Sequence, residues 1–212
     1  MADGDFESIG PDEAPQERRF DYARTVAISD GVFAIALTLL VLNITAPILG
    51  RGHEGVLGQR LLDHEDEFVS YAIGFAVIGL LWVRHHSFFR GIDHIDTRLT
   101  VLNLVYLGLV AFLPYPTRIL GLYNQTAAIV LYASTLIAVV GMARLMAHHA
   151  RHAGLLSDVG VRELDRRESW LIVPAVFGLS IPISFVSARA AQLTWLLIPV
   201  LMRLERRLST RA

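Results

Sequence analysis

Cysteine and lysine are both missing from this chain of 212 residues. Without cysteine there is no disulfide, no thiolate metal site and no cysteine nucleophile. Without lysine there is no Schiff-base chemistry and no Walker-type phosphate-binding lysine, and all 19 basic residues are arginine. Charge is scarce. Asp, Glu, Lys and Arg make up 18% of the residues, against roughly 25% in soluble domains. A net charge of −1 gives no ground for nucleic acid binding. Apolar side chains make up 53% of the chain and the mean hydropathy is +0.47, more apolar surface than a soluble fold of this size can bury. The class is an all-α integral membrane protein whose largest partner is the lipid bilayer.

A bilayer core about 30 Å thick takes roughly 20 apolar residues per helix. Residues 25–49 carry a single charge, Asp30, and 68–83, 99–117, 119–143 and 169–188 carry none, so these five runs predict spans. A shorter run at 190–202 makes a sixth if its helix continues past Arg203 into the interface. Six transmembrane helices is the favoured reading and five the alternative. With six spans and an internal N-terminus, 15 arginines fall on the inner side and 4 on the outer, which predicts that both termini are cytoplasmic.

Residues 1–20 carry six acidic side chains and little apolar content, and are expected to form a disordered acidic cytoplasmic tail. Residues 21–207 then form the transmembrane domain and 208–212 a short basic cytoplasmic tail. The acidic run 63–67 is expected to be a solvated helix start, with carboxylates favoured at the helix N-terminus. Residues 144–168 are expected to form the one sizeable inner loop.

The first span holds an ionisable residue at membrane depth, where such a side chain needs a partner. Each helical step turns about 100°. Taking Ile35 as zero, Arg24, Ile28, Gly31, Thr38, Leu39 and Leu42 fall within about 60° of it, Ser29 about 120° to one side and Asp30 about 140° to the other. One stripe is therefore apolar with a threonine in it, and the acid points elsewhere. Such a stripe suits a helix-packing face with Thr38 bonded to its own backbone. It equally suits a narrow axial pore shared between subunits, gated by dewetting of apolar rings. Pattern alone does not choose.

The motif Arg24-x-x-x-Ile28-Ser29-Asp30-Gly31-Val32-Phe33-Ala34-Ile35 closely resembles the opening of the first helix in the transmembrane protein 175 family, with Ile28 in place of the family's phenylalanine. A second block, Trp82-Val83-Arg84-His85-His86-Ser87-Phe88-Phe89 followed by Ile92, Asp96, Asn103 and Leu113-Pro114, resembles the family's passage from span two into span three. Spans four to six carry no comparable motif. That family comprises the endolysosomal potassium channel and its bacterial relatives. The resemblance implies six helices per repeat in a fold unlike pore-loop potassium channels, with bacterial members forming homotetramers in the cell (inner) membrane. It implies a pore lined by first helices, an apolar constriction at Ile35, Leu39 and Leu42, and a threonine layer at Thr38. Nothing resembles a Thr-Val-Gly-Tyr-Gly filter, so modest potassium preference among monovalent cations is expected.

Arg24, Ser29, Asp30, Trp82, His85, His86 and Asn103 are expected near the inner end of the bundle, in a hydrogen-bonded cluster centred on Asp30. Either His85 or His86 is its expected donor. No catalytic group, metal site or cofactor is expected, the potassium ion being the permeant species. Two other classes compete. His148, His149 and His152 echo a di-iron box, but such a box needs several more histidines. A secondary transporter, proton-coupled or cation, is the stronger rival, with Pro174, Pro182 and Pro199 able to break helices, yet no two halves of the chain resemble one another.

Overall fold

The computed structural model describes residues 13–45, 65–123, 125–165, 172–195, 197–198, 201 and 203. Residues 1–12 and 208–212 of the expected tails lie outside the described residues, as does part of the sixth expected span.

The first helix, α1, runs Glu13–Leu39 and closes in a tighter 3-10 turn at Leu40–Asn43. It therefore begins inside the stretch expected to be a disordered tail. Residues 13–20 are rich in glutamate, glutamine, alanine and arginine, which are good helix formers, and Pro15 falls in the first turn, where a missing N–H is tolerated. Helix α2, Glu65–Arg90, opens on three carboxylates and ends on an arginine, both favoured by the helix dipole. Asp96 caps α3, Thr97–Phe112, accepting from the Leu99 amide at 2.7 Å. The proline pair Pro114 and Pro116 then breaks the ladder, and α4, Pro114–Leu122, continues the span.

Helix α5 covers Thr126–His152, so the expected inner loop 144–168 is helical over its first nine residues. Met146, Ala147 and Ala150 are buried there at helical spacing, and His149, Arg151 and His152 complement the dipole of the last turn. Gly154, at φ 69°, makes the turn that follows, a left-handed conformation that suits glycine. The short α6, Asp158–Asp165, leads to a hairpin of α7, Ile172–Ser184, and α8, Ala188–Trp195. The described residues are helical, with one isolated bridge between Ile92 and Leu156. Four stretches are long and apolar enough to cross a membrane: Tyr22–Asn43, Glu65–Arg90, Thr97–Leu122 and Thr126–His152. Helix α7 is apolar but only 13 residues long.

Helix α1 packs on α2 and α3, α3 and α4 pack on α5, and α5 carries the α7–α8 hairpin. At one end the connection after α2 docks on the connection after α5: Asp93 N donates to Leu155 O at 2.8 Å and Ser157 N to Gly91 O at 3.0 Å. His149 reaches across to Asp96 at 2.8 Å, and Tyr22 ties α1 to the same end through the Phe89 carbonyl at 2.8 Å. Burial pushes the Asp96 carboxyl up, but the Leu99 amide and His149 outweigh it and hold the group below its ordinary value.

Candidate functional site

Helix α1 divides into two faces. Ser29, Phe33, Ala36 and Leu40 are fully buried against α2 and α3. Arg24, Ile28, Gly31, Ile35, Thr38, Leu39 and Leu42 are all exposed, Ile35 by 60% and Leu42 by 70%. The stripe laid out by helical periodicity is thus the face that the described helices leave uncovered. The most apolar windows of α1 and α2 are each only 22% buried, half the 44% of Thr97–Leu122 and Thr126–His152. Thr38 Oγ1 donates to Ile35 O at 2.9 Å. This is the local backbone bond expected of a packing residue, but the side chain stands on an open face.

Behind the uncovered face sits a polar relay through three helices. Ser29 Oγ donates to Thr25 O at 2.8 Å and accepts from Asn103 Nδ2 at 3.1 Å. Asn103 Oδ1 in turn lies 2.8 Å from His85 Nε2. Because an amide oxygen only accepts, Nε2 carries the proton. Aromatic rings enclose the imidazole: Tyr106 stacks on it at 5.3 Å, and Phe89 and Phe33 lie at 4.6 and 5.4 Å. Ser29, His85 and Asn103 are all buried, so each polar atom in this apolar interior needs the partner it has.

Asp30 has a different partner. Trp82 Nε1 donates to Asp30 Oδ1 at 2.9 Å, and the indole stacks on His86 at 5.6 Å. Neither histidine is the donor that the sequence led us to expect, and the cluster is not centred on Asp30. The reason is helical phase. Ser29 and Asp30 point about 100° apart on α1, and Trp82 and His85 about 60° apart on α2, so each pair splits into a buried contact and a peripheral one. Arg24 lies exposed on the stripe and takes part in neither.

One residue escaped the sequence reading. Glu67 belongs to the acidic run expected to be solvated, and Glu65 and Asp66 are indeed exposed, yet Glu67 is buried and its carboxylate accepts from the Thr45 amide at 2.6 Å. The signal was present: Glu67 and His85 are 18 residues apart, five full turns at about 3.6 residues each, which puts both on the core face of α2. Among the described residues no three His, Asp or Glu side chains are placed to hold a metal ion. His149 instead pairs with Asp96, and His148 packs on His152 at 4.2 Å.

Residues 24–114 match the family model described as "Endosomal/lysosomal potassium channel TMEM175". A potassium channel of Streptomyces collinus is 32% identical over 173 residues, 78% of this chain and 83% of the relative. A potassium channel of Chamaesiphon minutus is 32% identical over 182 residues, 82% and 89% of the two chains. The crystal structure of a lysosomal potassium-selective channel TMEM175 homolog from Chamaesiphon minutus superposes with a TM-score of 0.73 at 28% identity, covering 87% of this chain and 97% of that one.

Proposed function

The chain belongs to the TMEM175 family, and from that premise we propose that it is a potassium-conducting channel in which four copies of α1 surround a central pore. The observation that carries this reading is the uncovered stripe of α1, apolar at Ile35, Leu39 and Leu42 with one hydroxyl at Thr38. Rings of such apolar side chains close a pore by dewetting. The Thr38 hydroxyl donates its proton back to Ile35 O, so its lone pairs remain for a cation on the open side. The Ser29–Asn103–His85 relay and the Trp82–Asp30 bond brace α1 from behind and keep the Asp30 side chain off the stripe.

The subunit is a six-span unit with both termini in the cytoplasm, in keeping with 15 arginines inside and 4 outside, and it resides in the bacterial inner membrane. It conducts rather than catalyses and needs no cofactor. Selectivity is modest, because a hydroxyl layer and apolar rings replace only part of a cation's hydration shell.

Reconstitution into planar bilayers tests the proposal. Discrete unitary openings are expected, with a reversal potential favouring potassium under potassium/sodium bi-ionic conditions. Thr38→Ala is expected to move that potential toward zero. Turnover without unitary openings would make the protein a transporter, and an unchanged potential in Thr38→Ala would remove the threonine from the selectivity layer.

A further inference from the structure

The outer end of α1 is held by a carboxylate that no pore argument requires. Where α1 tightens into its 3-10 turn at Leu40–Asn43, three contacts fasten that turn to the scaffold. Leu40 is fully buried in a niche beside Gly74, where an added Cβ would come within 3.2 Å of Leu40 Cδ2 and 2.7 Å of Thr117 Cγ2. Asn43 Nδ2 donates to Pro114 O at 3.0 Å, at the break between α3 and α4. Immediately beyond, Thr45 N donates to the buried Glu67 carboxylate at 2.6 Å. The Glu67 bond is the shortest of these and lies just beyond the turn, where the chain otherwise unwinds.

We propose that Glu67 is a positioning residue for the outer pore: its bond to Thr45 holds the terminal turn of α1 in 3-10 form and thereby aligns Leu42 with Leu39. In a 3-10 turn residues i and i+3 eclipse, whereas in an α-helix they diverge by about 60°. Leu39 and Leu42 are both exposed on the open face, so the tighter turn stacks one apolar ring directly above the other. Without the clamp the turn relaxes toward α-helical geometry and Leu42 rotates off that line. Alignment of the rings along the pore rests on the channel reading above; the clamp itself does not.

The chain contains no cysteine, so Leu42→Cys gives a single reactive thiol. That variant is placed in backgrounds carrying Glu67, Glu67→Gln or Glu67→Ala, and two measurements are made on the reconstituted full chain. Amide hydrogen exchange of the segment 40–45 reads the clamp. Modification by a membrane-impermeant thiol reagent from the outer side, followed as loss of current, reads the ring.

Glu67→Ala is expected to speed exchange several-fold to about tenfold, the loss of one hydrogen bond, and to change the thiol modification rate several-fold. The potassium/sodium reversal potential, set one turn inward at Thr38, should stay where it was. Glu67→Gln keeps an acceptor oxygen and should recover most of both effects. Unchanged exchange and unchanged thiol reactivity in Glu67→Ala would overturn the proposal. If Glu67→Ala does not assemble, Glu67→Met, which keeps the side chain's length and has no oxygen acceptor, is compared with Glu67→Gln: faster exchange in Glu67→Met supports the clamp, and equal exchange in the two overturns it. Current insensitive to the reagent with Glu67 intact would count against the pore reading, while the exchange comparison would still judge the clamp.

Discussion

Asn103 accepts from His85 at 2.8 Å inside the closed space between α1, α2 and α3. The same amide donates to Ser29 at 3.1 Å, so one side chain satisfies a neighbour on each flanking helix. Asn103→Ala therefore leaves the buried His85 Nε2 without its partner, while Ser29 keeps its bond to Thr25 O. Leaving such a group unsatisfied costs about 1–3 kcal/mol, and we expect Asn103→Ala to lower the detergent-solubilised protein's stability by at least that much. Thermal unfolding measures it; a change under a few tenths of a kcal/mol would show that water replaces the amide.

Trp82→Phe keeps an aromatic ring against His86 and removes the donor to Asp30. Because Trp82 is 38% exposed, the loss should be smaller, near the 0.5–1.5 kcal/mol of an ordinary hydrogen bond. A double-mutant cycle with Asp30→Leu, which removes the acceptor from the other side, should return a coupling energy of about 1 kcal/mol. No coupling would mean the two residues act independently.

Gly91 and Gly160 meet backbone to backbone where the connection after α2 docks on α6. A Cβ on Gly160 would collide with the Gly91 carbonyl, and one on Gly91 would lie 2.8 Å from Gly160 Cα. Gly160→Ala should destabilise by about 1–3 kcal/mol through overpacking, read as a lower unfolding temperature. Gly79→Ala, whose added Cβ meets no other residue within 4 Å among the described residues, is the control and should be neutral or slightly stabilising.

Acid should loosen the Asp96 cap. Its carboxyl is held below 3.8 in the folded chain, so the stabilisation it contributes is fully present above pH 3.8 and is lost as pH falls through the lower folded value. Asp96→Asn keeps an N-cap side chain but has no charge to lose. Stability of the parent should fall toward that of Asp96→Asn as the pH drops below 3.8, and curves that stay parallel as acid is added would deny Asp96 its part.

Much of the site can be located from local pattern. The stripe from Arg24 to Leu42 shares one exposed face because helical phase is a property of a single segment. The Asp96 cap and the proline break at Pro114 are local in the same sense. The Ser29, Asn103 and His85 positions are all visible as polar residues in apolar runs, but which atom meets which is not. The extension of α5 to His152 was missed because polar residues at 144, 148, 149, 151 and 152 resemble a loop until Met146, Ala147 and Ala150 are seen to be buried between them.

The sequence by itself determined that this is a helical membrane protein, which residues of α1 share one stripe, and which few polar residues lie at membrane depth. These follow from composition, run length and a rotation of about 100° per residue. Only the tertiary structure decided that Trp82, and not a histidine, serves Asp30, that Asn103 joins Ser29 to His85, and that Glu67 turns inward to hold Thr45. A hydrogen-bond partner depends on the crossing angle and relative rotation of two packed helices, and neither quantity is encoded in the periodicity of either helix alone.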